Sequence, residues 1–225
     1  MHKYYIFGGS SELGRAFIDK ISSDDQIIIF SKKDIALSEK NITTYKIKEY
    51  STDVISDKLL DKDRSDITVI FFNGISEDKA FFNLDDSDID KIMNVNLIIP
   101  LKITQLFLKT YLSNRINFVY MSSTRALKGD KGIAIYSASK SGLKFAAKSL
   151  ALEYGKLKKY FYVISLGLFN YGLINHLNDK TIQNMHKRAA IGKYVDINEL
   201  INTVLFIKEN PSLTGSVINC DNGYH

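Results

Sequence analysis

The sequence of 225 residues predicts an α/β fold: a doubly wound, mainly parallel sheet with helices on both faces. Short apolar and β-branched runs of strand type alternate with segments of helical periodicity along the chain. Glycines follow the first strand-type run and lead into a helical segment. Pro occurs only at positions 100 and 211, so no Pro-rich linker divides the chain. This alternation is typical of a parallel sheet that helices cover on both sides.

The predicted elements follow one another in order. A short strand at residues 4–7 is followed by a turn and a helix to about residue 21, and residues 34–41 form a short turn or helix. The other helices are expected at 53–60, 85–111, 135–156 and 197–207. The remaining strands, which bring the sheet to seven, are expected at 26–30, 43–48, 68–72, 118–121, 160–166 and within 213–223.

Composition limits the classes of function. The net charge of +5 is spread over the chain with acidic residues interleaved, which argues against a nucleic-acid surface and leaves room for an anionic ligand. No uncharged run approaches the ~18 residues of a membrane span. The single cysteine, Cys220, excludes an internal disulfide, and four scattered histidines give no metal-ligand spacing. Because no signal peptide precedes the first strand, we expect a cytoplasmic protein.

A serine, a tyrosine and a lysine in one stretch carry acid–base chemistry. Ser123 ends the predicted strand at 118–121, and Tyr136 and Lys140 lie four residues apart on one face of the following helix. A tyrosine hydroxyl has a pKa near ~10, and a neighbouring cation lowers that pKa by stabilising the phenolate. Ser123 could hydrogen-bond the same reacting oxygen if the loop folds back. An amphipathic helix face is the alternative explanation for a lone tyrosine and lysine at this spacing.

The turn after the first strand has the sequence G-G-S-S-E-L-G at residues 8–14. Glycines there let the backbone approach a pyrophosphate closely, and the free N–H groups at the helix start favour its negative charge. A plain strand-to-helix turn is the alternative. We predict a nucleotide site formed by Gly8, Ser10, Ser11, Glu12, Leu13 and Gly14.

The segment Y-S-A-S-K at 136–140, after a strand that ends in Ser-Ser, resembles the active-site segment of the short-chain dehydrogenase/reductase superfamily in its compact one-domain form. The glycine turn, F-F-N-G at 71–74, M-N-V-N-L at 93–97 and the T-G and D-N-G ending at 214–223 follow in the family's order. The resemblance implies a Rossmann-like domain over residues 1–225. It also implies hydride transfer between a nicotinamide and a carbonyl or alcohol carbon of a small molecule.

The resemblance also implies roles for individual residues. Tyr136 is the acid or base, and Lys140 lowers its pKa and binds the nicotinamide ribose. Ser123 orients the substrate oxygen, and Asn96 distorts its helix and supports a proton relay. Asn94 competes with Asn96 for that role, but Asn96 falls on the apolar face of its helix. Asn73, Gly74 and Gly167 are expected to contact the cofactor.

Several positions depart from the family pattern. Phe7 replaces a threonine, Glu12 a glycine and Leu166 a proline, and F-F-N-G stands for N-N-A-G. These changes favour one alternative, a catalytically silent nucleotide-binding or scaffold protein of the same fold. A sugar-nucleotide epimerase or dehydratase is another alternative, but it needs a further substrate domain. Residues 172–194 are interpreted as a lid or, equally, as a solvated surface helix.

The end of the second strand bears on the choice of cofactor. An enzyme that binds NAD places an acidic residue there to accept from both ribose hydroxyls, whereas this chain has Ser31, Lys32 and Lys33. A hydroxyl and two cations suit a 2′-phosphate, so NADP(H) is expected in preference to NAD(H), with Arg15 adding positive field. In the alternative, the lysines are solvated and Asp34 turns inward to the ribose.

The resemblance further implies a homodimer or homotetramer. Relatives pair through two long helices, which in this chain correspond to residues 86–111 and 135–156, and such two-fold interfaces are common in homo-oligomers.

Overall fold

The computed structural model describes residues 2–21, 24–35, 41–59, 63–170 and 179–224. Seven strands form one sheet in the order β3-β2-β1-β4-β5-β6-β7, and all six neighbouring pairs are parallel. The predicted doubly wound, Rossmann-like fold is confirmed. The strands are β1 His2–Phe7, β2 Gln26–Ser31, β3 Ile42–Lys46, β4 Asp66–Phe71, β5 Ile116–Ser123, β6 Lys159–Leu166 and β7 Val217–Cys220.

Helices cover both faces of the sheet. One buried cluster contains side chains of α1 and α8 on one face, and a second contains side chains of α2, α4 and α6 on the other. Strands buried on both faces read as continuous apolar runs, as Ile27 to Phe30 does. The helices are α1 Glu12–Ile18, α2 Thr52–Ser56, α3 Asp86–Met93, α4 Ile99–Thr110, α5 Thr124–Lys128, α6 Ala134–Tyr154, α7 Asp179–Arg188 and α8 Ile197–Lys208.

Several predicted boundaries are wrong by a few residues. Helix α1 ends at Ile18 and not near Ile21, and α2 covers only Thr52–Ser56. The long helix predicted at 85–111 consists of α3 and α4 joined by a π-helical segment, Asn94–Ile98. Most of the turn or helix predicted at 34–41, and residues 172–178 of the predicted lid, lie outside the described residues. The rest of that lid contains α7, whose Met185 is buried.

The order of the strands places a crevice beside β1. The chain runs outward from β1 to β2 and β3, then returns to β4 on the other side of β1. Connections on opposite sides of β1 diverge at such a switch point, and ligands bind beyond the carboxyl ends of the strands there. The turn after β1 and the turn after β4 therefore face each other across one crevice.

A row of stacked aromatic rings explains the phenylalanine at position 7. Phe7 stacks on Phe30 of β2 at 5.0 Å and on Phe71 of β4 at 5.3 Å between ring centroids. Phe71 in turn stacks on Tyr120 of β5 at 5.3 Å. The row crosses four strands and is buried. Phe7 and Phe71, two of the departures from the family pattern, are therefore packing residues that stiffen the sheet below the crevice.

His2 begins β1, at the opposite end of the strands from the crevice, and its imidazole is neutral. Its Nε2 lies 2.8 Å from the Thr68 hydroxyl, and its backbone N–H donates to the Asp25 carboxylate at 3.0 Å. Burial, together with the charge of Lys208, lowers the pKa of His2 from 6.5 to about 4. Folding therefore disfavours the protonated imidazole.

We predict that His2 causes the protein to lose stability as the pH falls from 6.5 to 4. Its pKa is lower in the folded than in the unfolded chain, so the unfolded chain binds the proton more tightly and stability falls with pH in this window. The loss attributable to His2 should approach about 2–3 kcal/mol at the acid end. Urea unfolding followed by circular dichroism should show a smaller loss of stability for His2→Gln than for the wild type. Equal losses would contradict the prediction.

Candidate active site

A cavity of about 600 Å³ opens at the carboxyl ends of the central strands. Its lining joins the turn after β1, the turn after β4, the end of β5, the start of α6 and the segment after β6. Many predicted site residues that are far apart in sequence therefore meet in one place. Those that line the cavity are Ser11, Glu12, Leu13, Asn73, Gly74, Ser123, Tyr136, Lys140 and Gly167.

The other predicted site residues lie outside this lining. Gly8, Ser10 and Gly14 form the turn behind Ser11, and Asn96 is buried behind Gly74. Ser31 and Lys32 lie at the end of β2, away from the cavity. Asn94, the competitor of Asn96, is exposed, whereas Asn96 is fully buried.

The turn after β1 requires glycine for close packing. Gly8 has a φ of +81°, and a Cβ atom on it would lie 2.6 Å from the backbone nitrogen of Asn73. A Cβ on Gly14 would lie 2.8 Å from the carbonyl oxygen of Gly8. Ser11 caps α1 by accepting a hydrogen bond from the Gly14 N–H at 3.1 Å. The turn after β1 is therefore packed closely against the turn after β4.

Asn96 connects three parts of the site. Its side chain accepts a hydrogen bond from the Ile75 N–H at 2.9 Å and donates to the Ile75 carbonyl at 2.8 Å and to the Ser139 hydroxyl at 3.1 Å. Ser139 donates to the carbonyl of Tyr136 at 2.7 Å. Asn96 lies in the π-helical segment, so the predicted helix distortion is present, and single π turns often occur at functional sites.

Lys140 is a buried cation beside Gly74. Its Nζ donates to the carbonyl oxygen of Met121 at 2.9 Å, and a Cβ on Gly74 would lie 3.1 Å from that Nζ. Burial lowers the pKa of Lys140 from 10.5 to about 8, so the ammonium form still predominates at neutral pH. A side chain at position 74 would crowd the ammonium group, and Gly74 and Lys140 both line the cavity.

Burial raises the pKa of Tyr136 above its usual value near 10. A hydrogen bond from Ser123 and the positive charge of Arg125 oppose this shift without cancelling it. Burial sets the direction of this shift, because it disfavours the charged phenolate, and the lowering of this pKa by Lys140 stays a prediction. Tyr136 is a neutral phenol at pH 7 and can donate a proton to an acceptor in the cavity.

Charged residues that sequence analysis missed also line the cavity. Arg125 donates through Nε to Asp130 at 3.0 Å, and its Nη1 lies 3.6 Å from a carboxylate oxygen of Asp78. Asp78 raises the pKa of Tyr136 and Arg125 lowers it, so both residues act on the same phenol. The position of Arg125, two residues after Ser123, was the signal that could have identified it. Asp78 had no such signal.

The end of β2 separates the three residues predicted to bind a 2′-phosphate. Ser31 is fully buried and its hydroxyl accepts a hydrogen bond from the Lys33 N–H at 3.1 Å, so Ser31 is not available at the surface. Lys32 and Lys33 are exposed, and the Nζ of Lys32 lies 5.9 Å from the centre of the Tyr50 ring. The side chain of Asp34 instead pairs with Lys46 at 2.6 Å.

The chain's own groups fit a nicotinamide dinucleotide. Gly8 and Gly14 let the turn after β1 pack closely at the start of α1, as the backbone of a diphosphate-binding turn must. The Oδ1 atom of Asn73 is buried and has no hydrogen-bond partner among the described residues, although its Nδ2 donates to Val95. Asn73 and Lys140 both line the cavity.

Neither a metal cluster nor a membrane-spanning helix occurs among the described residues. No group of three or more His, Cys, Asp or Glu side chains in the described ranges could hold a metal ion. Among the helices of those ranges, none is long and apolar enough to cross a membrane.

Comparison with known proteins identifies relatives over nearly the whole chain. The model of the family adh_short_C2, described as enoyl-(acyl carrier protein) reductase, matches residues 53–225. Carbonyl reductase family member 4 from Xenopus laevis is 25% identical over an alignment of 228 positions, which covers 97% of this chain and 95% of the relative.

Solved structures share the fold. A mutant 4-hydroxyisoleucine dehydrogenase complexed with NADH and succinate superposes with a TM-score of 0.88 at 22% identity and covers 98% of this chain and 97% of its own. A dehydrogenase structure from Agrobacterium tumefaciens with bound NADP has a TM-score of 0.87 at 18% identity and covers 99% and 95% of the two chains.

Proposed function

The chain belongs to the short-chain dehydrogenase/reductase superfamily of nicotinamide-dependent oxidoreductases, and on that premise we propose that the cavity described above is its active site. The substrate is a small molecule with a carbonyl or alcohol group. The observation that carries the proposal is that Ser123, Tyr136 and Lys140 line one cavity with Gly74 and Gly167. The name of the relative in Xenopus laevis, a carbonyl reductase, supports the same class of substrate.

Each residue has a separate task in this proposal. A bound nicotinamide supplies or accepts the hydride. Tyr136 donates a proton to the carbonyl oxygen during reduction, and its raised pKa keeps that proton in place at neutral pH. Ser123, which hydrogen-bonds Tyr136, orients the same oxygen. Lys140 holds the ribose hydroxyls near the phenol, and Asn96 fixes Ile75 and Ser139 around them.

The cofactor-binding residues are proposed to be those of the glycine turn together with Asn73, Gly74 and Gly167. Diphosphate oxygens would lie against the backbone from Gly8 to Gly14, where a side chain could not fit. We propose that the protein prefers NADP(H) over NAD(H). Lys32 and Lys33 would bind the 2′-phosphate without Ser31, because Ser31 is buried. Asp34 is engaged by Lys46 at 2.6 Å, which disfavours the alternative in which it accepts from the ribose.

A catalytically silent nucleotide-binding or scaffold protein is the second candidate. The departures at Phe7, Glu12, F-F-N-G and Leu166 favour it. Phe7 and Phe71 belong to the stacked aromatic row, whereas Glu12, Phe72 and Leu166 line the cavity. The intact set of Asn96, Ser123, Tyr136 and Lys140 opposes it. We therefore favour an active enzyme. We propose that it forms one domain over residues 1–225 and works in the cytoplasm.

We predict that Tyr136→Phe abolishes turnover. The change removes only the hydroxyl, and loss of one positioned acid or base lowers the rate by ~10²–10⁴-fold. Screening carbonyl and alcohol panels while following NAD(P)H absorbance identifies a substrate, and kcat is then compared between the variants. Tyr162→Phe is the matched control, because Tyr162 is a buried tyrosine on β6 outside the cavity lining. Near-normal turnover of Tyr136→Phe would remove this residue from the mechanism.

We predict that replacing Lys32 and Lys33 together by Ala weakens NADPH binding by ~1–3 kcal/mol and leaves NADH binding little changed. The loss should shrink at high salt, because both lysines are exposed and act through screened charge. Titration of nicotinamide fluorescence measures both affinities. Lys109→Ala with Lys156→Ala removes the same charge from exposed positions outside the cavity lining and should change neither affinity. Tighter NADH binding by the wild type would reverse the assignment.

We propose that two or four copies assemble through the outer faces of α4 and α6. Phe145 and Leu152 lie two turns apart on α6 and are 63% and 89% exposed, and Ile98 and Leu101 border a shallow depression at the start of α4. Large exposed apolar side chains in one patch are typical of an interface.

We predict a dimer or tetramer by light scattering at micromolar concentration, and Phe145→Glu with Leu152→Glu should dissociate it. Buried carboxylates at the centre of an apolar interface would be left without partners. Ile191→Glu with Phe206→Glu, which places the same charge at two other exposed apolar positions, should leave the assembly intact. A monomeric wild type would overturn the proposed assembly.

A further inference from the structure

Asp221 is a buried carboxylate that the proposed chemistry does not use. It follows β7 in the D-N-G ending and is only 8% exposed. Its Oδ2 accepts a hydrogen bond from the Thr124 hydroxyl at 3.0 Å, and its Oδ1 accepts from the Gly223 N–H at 3.0 Å. No ion pair with Asp221 occurs among the described residues. A carboxylate buried without a cation is costly, so its hydrogen bonds must hold it.

The Thr124 hydroxyl links the ends of three strands in a fixed direction. Its single proton goes to Asp221, since a carboxylate only accepts, and its oxygen lies 3.2 Å from the Ser165 hydroxyl. Ser165 must therefore donate to Thr124. The chain of hydrogen bonds runs from β6 through the residue after β5 to the residue after β7, and all three side chains are buried.

Asp221 is linked to the proposed active site on two sides, through Thr124 and through Gly167. Thr124 directly follows Ser123, and the backbone changes there from the extended strand, with φ −148° at Ser123, to the short helix α5. On the other side, a Cβ on Gly167 would lie 2.4 Å from the Cα of Asp221, and the Gly167 N–H donates to the Cys220 carbonyl at 2.9 Å. Asp221 therefore packs against the segment that lines the cavity after β6.

We propose that Asp221, acting through Thr124, is a positioning residue that fixes the Ser123 hydroxyl relative to Tyr136 and to the Gly167 segment. This inference rests on the proposed function. The carboxylate restrains the first residue of α5, and through it the corner at which Ser123 meets the substrate oxygen. A hydroxyl misplaced by about 1 Å can lower a rate by about 100-fold, so a restraint of this kind bears on catalysis as well as on stability.

Thr124→Val tests the role, because it keeps the shape of the side chain and removes the hydroxyl. We expect kcat on the substrate found in the carbonyl and alcohol screen to fall about 10–100-fold. The KM for the cofactor should change less than about threefold, because the glycine turn is untouched. Thr124→Ser retains the hydroxyl and should restore kcat to within about threefold of the wild type.

A control variant separates positioning from stability. Thr104→Val removes another buried hydroxyl, one that lies 2.7 Å from the Tyr120 hydroxyl and outside the cavity lining. Thr104→Val and Thr124→Val should both lower the Tm by several degrees, and only Thr124→Val should lower kcat. Loss of kcat in both variants in proportion to the loss of Tm would overturn the positioning role.

Ser123→Ala shows whether Thr124 acts through Ser123. If it does, adding Thr124→Val to Ser123→Ala should lower kcat less than about twofold further, since coupled residues do not add. Additive losses would overturn the inference.

Crystal structures of the wild type and Thr124→Val supply a readout without turnover. The Ser123 Oγ should move away from the Tyr136 hydroxyl by about 1 Å or more in the variant. An unchanged position would overturn the inference. A wild type that binds cofactor but turns over no compound would overturn the proposed function, whereas this distance would still test the positioning role.

Discussion

The hydrogen bonds of the buried Asn96 side chain are the constraint on which the site depends. They tie Ile75, in the turn after β4, to Ser139 on α6, and Ser139 in turn holds the Tyr136 carbonyl. A buried amide left unpaired is expensive, so the π-helical segment that turns Asn96 inward and the partners that satisfy it must form together. These hydrogen bonds fix the width of the crevice between the strand ends and place Lys140 beside Gly74.

The aromatic row supports this crevice from below. Rings of Phe30, Phe7, Phe71 and Tyr120 stack across four adjacent strands, which fixes the register at the carboxyl ends where the turns begin. Two positions that departed from the family pattern thus belong to packing and not to ligand contact. Departure from a motif is weak evidence of lost activity when the substituted side chain points into a core.

Burial sets the electrostatics of the site. It raises the pKa of Tyr136 and lowers that of Lys140 to about 8, so the pair is a neutral phenol and an ammonium at neutral pH. In that protonation state the phenol of Tyr136 can donate a proton. Ser123 and Arg125 act in the opposite sense by stabilising the phenolate, and the balance among these groups is a property of the folded cavity.

The sequence by itself determined the parallel sheet and the order of its elements, because periodicity and glycine placement are local properties of the chain. The candidate residues from Gly8 to Gly167 came from local motifs together with the resemblance to the family. It also favoured Asn96 over Asn94 from the apolar face of one helix. Tertiary structure decided what depends on partners distant in sequence: the burial of Ser31, the pairing of Asp34 with Lys46, and the approach of Asp78 and Asp221 to the site. Burial and long-range pairing fix charge and hydrogen bonding, and no local pattern encodes them.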